Sequence, residues 1–202
     1  MTGRERVLAA VSHEEPDRVP VSPRIWAWML DYYGDASLPT YLRCCDEFGF
    51  DAFWIQGSPT PNYIYSWPDN YDLPEVRVEQ HRYRDGEYTV VERVFHTPAG
   101  PLTDRVLVPP AGGKWGIAPD PRVTERLIKT REDLERLRYI LPPVCGNMSA
   151  YHQAEQMVGD LGAVELYVHG PLDCQAAEAR GMEQLMVDYY DDYAFFQAQV
   201  DL

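Results

Sequence analysis

The sequence has few cysteines, no long apolar run and a deficit of positive charge, and each shortage excludes a class of protein. Its four cysteines show no CxxC spacing, so we expect inert, buried thiols rather than a disulfide framework. No apolar run approaches the roughly 18 residues that cross a bilayer. A net charge of −14 disfavours nucleic acid and anionic membrane surfaces as partners. Because the N-terminus is charged and unlike a signal peptide, the sequence predicts a cytoplasmic protein.

Several familiar site motifs are missing as well. Gly112-Gly113-Lys114 lacks the spacing and the Ser/Thr of a phosphate-binding P-loop, and no GxSxG is present. His152 and Glu155 share a helix face but have no third ligand, which is typical of a surface pair. We therefore predict no metal bound by this chain.

The first residues, by contrast, carry strong local signals. Thr2 and Glu5 have the spacing of a capping box at the start of an amphipathic helix. Pro16 ends that helix, because the residue before a proline is pushed out of the α region. A short β-prone segment follows, and Arg24 comes shortly after it in the sequence.

The remaining chain alternates between helical and strand patterns. Two apolar runs, at 50–56 and 163–168, have the composition of strands in a parallel sheet. Between them, residues 76–128 switch to period two around Asp85-Gly86, a strong hairpin signal, and predict an antiparallel meander. Helical patterns occupy the following segments: 24–33, 37–48, 131–141, 148–158, 171–180, 182–190 and 193–202. Thr130 is predicted to cap the helix of 131–141.

Two parallel-type strands are too few for a closed α/β barrel, which needs eight strands and about 250 residues. The last helical pattern also reaches Leu202 without a stop signal. The expected fold class is therefore α/β, a partial (β/α)8 barrel of the TIM type with an inserted meander. We expect residues 1–202 to belong to a single domain. Its parts are N-terminal helices (1–49), a first barrel strand (50–56), the meander (76–128), and helices with the second strand (130–202).

Four segments resemble the uroporphyrinogen decarboxylase superfamily. They are RERVLAAVSHEEPDRVPV, CDEFGFDAFWIQG, the pair HTPAGPLTDR and TERLIKTREDLERL, and AVELYVHGPLDCQAAEARGMEQLMVDYYDDYAFFQ. Together they cover nearly the whole chain. The superfamily contains (β/α)8-barrel decarboxylases and corrinoid-dependent methyltransferases. The pair HTPAGPLTDR and TERLIKTREDLERL is similar to the inserted meander and helix of the methyltransferase-like members.

The resemblance implies an enzyme, and the departures from the pattern favour methyl transfer over decarboxylation. True decarboxylases grip the substrate's propionates with two arginines, where this chain has Ile25 and Met29. Their catalytic aspartate would fall near Ser58 and their tyrosine near Ala177. An octacarboxylate needs several fixed cationic partners, and Arg24 supplies only one positive charge in place of the two arginines.

For the full-length protein the resemblance implies zinc, held by a His and cysteines outside this chain, and a corrinoid or corrinoid protein as partner to a small-molecule substrate. The chain alone is expected to bind neither cofactor. The alternatives are uroporphyrinogen decarboxylation and a non-catalytic fragment. The oligomeric state stays open.

Candidate site residues follow from the rule that barrel chemistry lies at the C-terminal ends of strands. Alternation along 163–169 puts the polar side chains of Glu165, Tyr167 and His169 on one face, directed into the barrel. Each candidate also has a structural alternative: a loop histidine, a helix cap, core packing or a salt bridge. We predict as catalytic His169 and Asp173, and as substrate-binding Gln56, Trp54, Glu165, Tyr167 and Arg24.

Overall fold

The computed structural model describes residues 1–57, 62–112, 116, 119–141, 146–167 and 176–202, and it divides into two compact units. The described part of the first unit is 1–57 with 146–167. The second contains the rest. The fold is mixed α/β, with a two-stranded parallel sheet in the first unit and a four-stranded antiparallel sheet in the second. The described residues contain no closed barrel.

The first unit combines four helices with the parallel sheet. Its elements are α1 (Gly3–Val11), α2 (Trp26–Tyr33), α3 (Leu38–Phe48), β1 (Ala52–Gln56), α5 (Ser149–Val158) and β6 (Gly162–Leu166). Strands β1 and β6 pair in parallel over their whole length, from Ala52 opposite Gly162 to Gln56 opposite Leu166. The two apolar runs predicted as parallel-type strands are therefore neighbours. Both strands are shorter than predicted.

Local signals explain where these elements begin and end. The capping box of α1 is present as predicted, with the Thr2 hydroxyl accepting from the Glu5 amide at 3.1 Å and the Glu5 carboxylate accepting from the Thr2 amide at 2.8 Å. At Gly162 an added Cβ would lie 1.7 Å from the Ala52 carbonyl oxygen. Only glycine permits the two strands to approach this closely where they start.

The second unit is built on the meander. Its elements are β2 (Arg77–Asp85), β3 (Tyr88–Thr97), β4 (Gly100–Val108), β5 (Arg122–Glu125), α4 (Glu132–Leu137), α6 (Ala177–Arg180), α7 (Met182–Asp191) and α8 (Tyr193–Val200). The strands are antiparallel in the order β2-β3-β4-β5, which confirms the predicted meander. Gly86, at φ 58°, supplies the left-handed residue of the two-residue turn after Asp85.

Several predictions about the helix ends are wrong. Helix α1 ends at Val11, ahead of Pro16, which was predicted to end it. Helix α4 is shorter than predicted and is not capped by Thr130; instead the Asp133 carboxylate accepts from the backbone amides of Lys129 and Thr130, each at 2.8 Å. Helix α8 does not run to the last residue. It ends at Val200, and Asp201 is its C-cap.

A buried ion pair lies in the middle of the antiparallel sheet. Arg93 is 1% exposed and stands opposite Asp104 in the β3–β4 register. Its guanidinium donates to both Asp104 oxygens, at 2.9 Å for the Nε contact, and its Nη1 donates to the carbonyls of Tyr63 and Ser66 at 2.8 Å. This one side chain therefore holds the preceding loop against the sheet.

We expect Asp104→Asn to destabilise the second unit by about 3 kcal/mol, because the Arg93 charge stays buried without its carboxylate. Hydrogen exchange of the amides in β3 and β4 measures the loss of protection. Asp85→Asn is the matched control, since Asp85 is 69% exposed and 4.0 Å from Arg105. Equal protection in the two variants would contradict a structural role for the pair.

Candidate functional site

The candidate site of the first unit depends on Asp51, the residue before β1. Its carboxylate is 2% exposed and accepts hydrogen bonds from Arg6, from both terminal nitrogens of Arg18 (2.7 and 2.9 Å) and from the Val21 amide (3.0 Å). Arg6 in turn makes a bidentate pair with Asp17, at 2.6 and 2.9 Å. The turn after α1, which contains Pro16 and Asp17, is thereby held to helix α1 and to the start of β1.

Backbone contacts extend this network toward the cleft. The Asp51 amide donates to the Val21 carbonyl at 2.8 Å, and the Ser22 hydroxyl donates to the Asp51 carbonyl at 2.6 Å. The segment that carries Ser22 and Arg24 is therefore held beside the start of β1. Burial opposes ionisation of Asp51, but the hydrogen bonds from Val21, Arg6 and Arg18 outweigh it, so the pKa of Asp51 lies below its usual value.

An open cleft of about 530 Å³ covers one face of the parallel sheet. Side chains alternate along each strand, so Phe53 and Ile55 of β1 share this face with Glu165 of β6 and with Tyr167, the residue that follows it. Ser22, Arg24 and Gly57 complete the lining. The sequence predicted this shared face for Glu165 and Tyr167.

The other face of the sheet packs against helices. Val164 and Trp54 contact a core that includes Tyr41, whose ring centroid is 5.6 Å from that of Trp54. The Trp54 indole donates to the Gln56 side-chain oxygen at 3.2 Å. Trp54 and Gln56, both predicted to bind substrate, therefore form a pair of their own and are not among the residues that line the cleft.

Arg24 lines the cleft and also a second cavity, of about 260 Å³, shared with Trp54, Ile55 and Met29. Its side chain is exposed, and it has no ion pair or hydrogen bond with any residue in the described ranges. The alternative of a salt bridge to a nearby acid is therefore not realised among them. Of the cations near the sheet, Arg6 and Arg18 are engaged by Asp17 and Asp51, whereas Arg24 is available to a ligand.

Three residues that shape the site were not predicted from the sequence. The Tyr41 hydroxyl accepts from the Phe53 amide at 3.1 Å and donates to the Phe53 carbonyl at 3.4 Å, on the side of β1 away from β6. Phe53 and Ile55 could have been found by extending the alternation of Glu165 and Tyr167 to the paired strand. Tyr41 had no signal in the sequence, since it reaches β1 only through tertiary packing.

The two predicted catalytic residues, His169 and Asp173, lie outside the described residues, as do Ser58, Cys145 and Cys174. Within the described ranges the cleft offers a carboxylate, a phenol, a guanidinium and a hydroxyl around an apolar floor. This set can orient a small polar molecule by hydrogen bonds and charge, and it includes no activated nucleophile.

The described residues do not fit the zinc-thiolate centre that the resemblance implies. Cys44 and Cys45 are free and buried in the helical core of the first unit, and burial raises the pKa of Cys45. His152 is exposed and lies 3.7 Å from Glu155, a surface pair as predicted. No group of three or more potential metal ligands is present in the part of the chain that the structure describes.

Comparisons with known proteins found no matching family model, no similar curated protein and no similar solved structure. Among the helices of the described residues, none has both the length and the apolar character needed to cross a membrane.

We expect Asp51→Asn to cost about 3 kcal/mol at neutral pH, because Arg6 and Arg18 lose the buried carboxylate that they share. Since the pKa of Asp51 is lowered in the folded protein, its contribution is complete above the unfolded value of about 4 and is lost as the pH falls through the lower, folded value. The stability difference between wild type and variant should therefore shrink in acid.

Hydrogen exchange of β1 and β6 across a pH series measures this difference. Asp46→Asn is the control, because Asp46 is an exposed carboxylate on the same unit. A gap that stays constant down to strongly acidic pH would show that the charge of Asp51 is not what stabilises the unit.

Proposed function

We propose that this chain forms the substrate-binding wall of an enzyme of the uroporphyrinogen decarboxylase superfamily, built as an incomplete TIM-type barrel. The observation that carries the proposal is the pairing of β1 with β6. Two parallel strands far apart in sequence are neighbours, an antiparallel meander lies between them in the chain, and their shared face presents polar side chains in a cleft. Of the segments that resemble the superfamily, one includes β1, the pair HTPAGPLTDR and TERLIKTREDLERL falls on the meander and α4, and one begins on β6.

Methyl transfer is the better-supported chemistry within that superfamily. Decarboxylation of an octacarboxylate requires several fixed cations, and the positions that correspond to the two decarboxylase arginines hold Ile25 and Met29. Met29 is 1% exposed, Ile25 packs against the same core and both side chains are apolar, so neither supplies a charge to a substrate. Arg24 is the cation that lines the cleft among the described residues.

The roles of the described residues follow from their positions. Arg24 binds the polar or anionic part of a small-molecule substrate, while Phe53 and Ile55 contact its apolar part. Glu165 and Tyr167 orient the substrate from β6. Because the described residues do not supply a zinc-thiolate, a methyl-accepting metal centre and a corrinoid partner would be provided from outside them. The free thiols of Cys44 and Cys45 support a cytoplasmic location.

The product of the intact gene tests this function through its zinc content and its turnover of methylcobalamin. We expect bound zinc and methyl transfer, with Glu165→Gln and Tyr167→Phe each lowering kcat/KM about tenfold or more through lost substrate contacts. Asp85→Asn, on the exposed meander, is the control and should leave kcat/KM unchanged.

Other outcomes discriminate the alternatives. Release of carbon dioxide from uroporphyrinogen would support decarboxylation. A zinc-free preparation with neither activity would contradict the proposal and favour a non-catalytic binding module.

A further inference from the structure

The cleft holds two opposite charges that do not neutralise each other. Arg24 and Glu165 both line it, yet no ion pair within 4.0 Å joins them or connects either one to another described residue. Acidic residues outnumber basic ones by 32 to 18 in this chain, so a free arginine is not explained by a shortage of carboxylates. Both charges remain available to a ligand.

The sheet fixes the order of these groups across the cleft. Glu165 stands opposite Ile55 in the β1–β6 register and therefore lies on the β6 side. Arg24 lies on the other side of β1, because it also lines the second cavity together with Tyr41, which contacts the free edge of β1 at Phe53. The apolar side chains of Phe53 and Ile55 lie between the two charges.

We propose that the cleft takes an elongated zwitterion, with its anionic group against Arg24, its cationic group against Glu165 and an apolar middle over Phe53 and Ile55. The Ser22 hydroxyl, on the Arg24 side, can donate a second hydrogen bond to the anion only by leaving the Asp51 carbonyl. The anionic end of the ligand is therefore bound by the charge of Arg24. The proposal rests on the assignment of the cleft as a substrate wall and adds the class of substrate.

Binding of three probes of equal chain length tests the proposal on the full chain, by calorimetry or ligand-observed NMR. The probes are ε-aminocaproate, which has both charges, hexanoate, which has only the anion, and hexylamine, which has only the cation. We expect the zwitterion to bind about tenfold tighter than either single-charge probe, as one lost charge-assisted contact implies. γ-Aminobutyrate, with a shorter apolar middle, should bind more weakly than ε-aminocaproate.

Variants assign each end of the ligand. Arg24→Gln should remove the preference for ε-aminocaproate over hexylamine, and Arg24→Lys should keep it. Glu165→Gln should remove the preference over hexanoate. Arg138→Gln and Glu135→Gln are matched controls, because they remove one charge each from an exposed pair 3.7 Å apart in the other unit.

Equal affinity for the three probes, no binding of any of them, or an unchanged preference in Arg24→Gln and Glu165→Gln would overturn the proposal. Each outcome is independent of methyl transfer, since binding needs neither zinc nor a corrinoid. Turnover with no zwitterion preference would refute the substrate class alone. A zwitterion preference without turnover would refute the proposed reaction alone.

Discussion

The buried carboxylate of Asp51 is the constraint on which the first unit depends. It receives two arginines and one backbone amide, and its own backbone binds the segment from Val21 to Ser22. A buried carboxylate is stable only when its charge is paired and its oxygens are hydrogen-bonded, and Arg6 and Arg18 meet both conditions. As a consequence helix α1, the following turn and strand β1 hold one another in place. The segment that brings Ser22 and Arg24 to the cleft is therefore held beside the start of β1.

The second unit solves a similar problem with the charges reversed. The buried charge there is the Arg93 guanidinium, which donates hydrogen bonds to the Asp104 carboxylate and to two loop carbonyls. Such clusters are weak sources of net stability, because desolvation opposes the attraction, but removing one partner is costly. Their effect is to specify one arrangement of loop and sheet. Each unit thus has one buried, hydrogen-bonded charge that holds a loop segment against a strand: the segment at Val21 and Ser22 in the first unit, and the loop at Tyr63 and Ser66 in the second.

The sequence predicted the elements with local signals and missed those set by tertiary contact. The capping box at Thr2, the hairpin at Gly86 and the parallel-type strands were all visible, because each depends on spacing or composition along the chain. The predicted Thr130 cap of α4 is wrong, because the N-cap is Arg131 and it makes no side-chain hydrogen bond. The Asp133 carboxylate, inside the helix, instead accepts from the amides before it, a contact that only the folded backbone selects. For the candidate site, alternation correctly grouped Glu165 with Tyr167, whereas the pairing of Gln56 with Trp54 required coordinates.

The opening string of the chain, residues 4–21, supplies scaffold contacts and none of the residues that line the cleft. Within RERVLAAVSHEEPDRVPV, Arg6, Asp17 and Arg18 all belong to the Asp51 network. Arg4 forms a separate ion pair with Glu155 of α5, at 3.7 Å. That string therefore positions the elements of the first unit and does not contact a ligand in the cleft. Arg24 lies just beyond the string and is free, so a change of charge there would alter what the cleft binds without disturbing the network. In this architecture fold and specificity can vary independently, and the reaction must be established at the cleft itself.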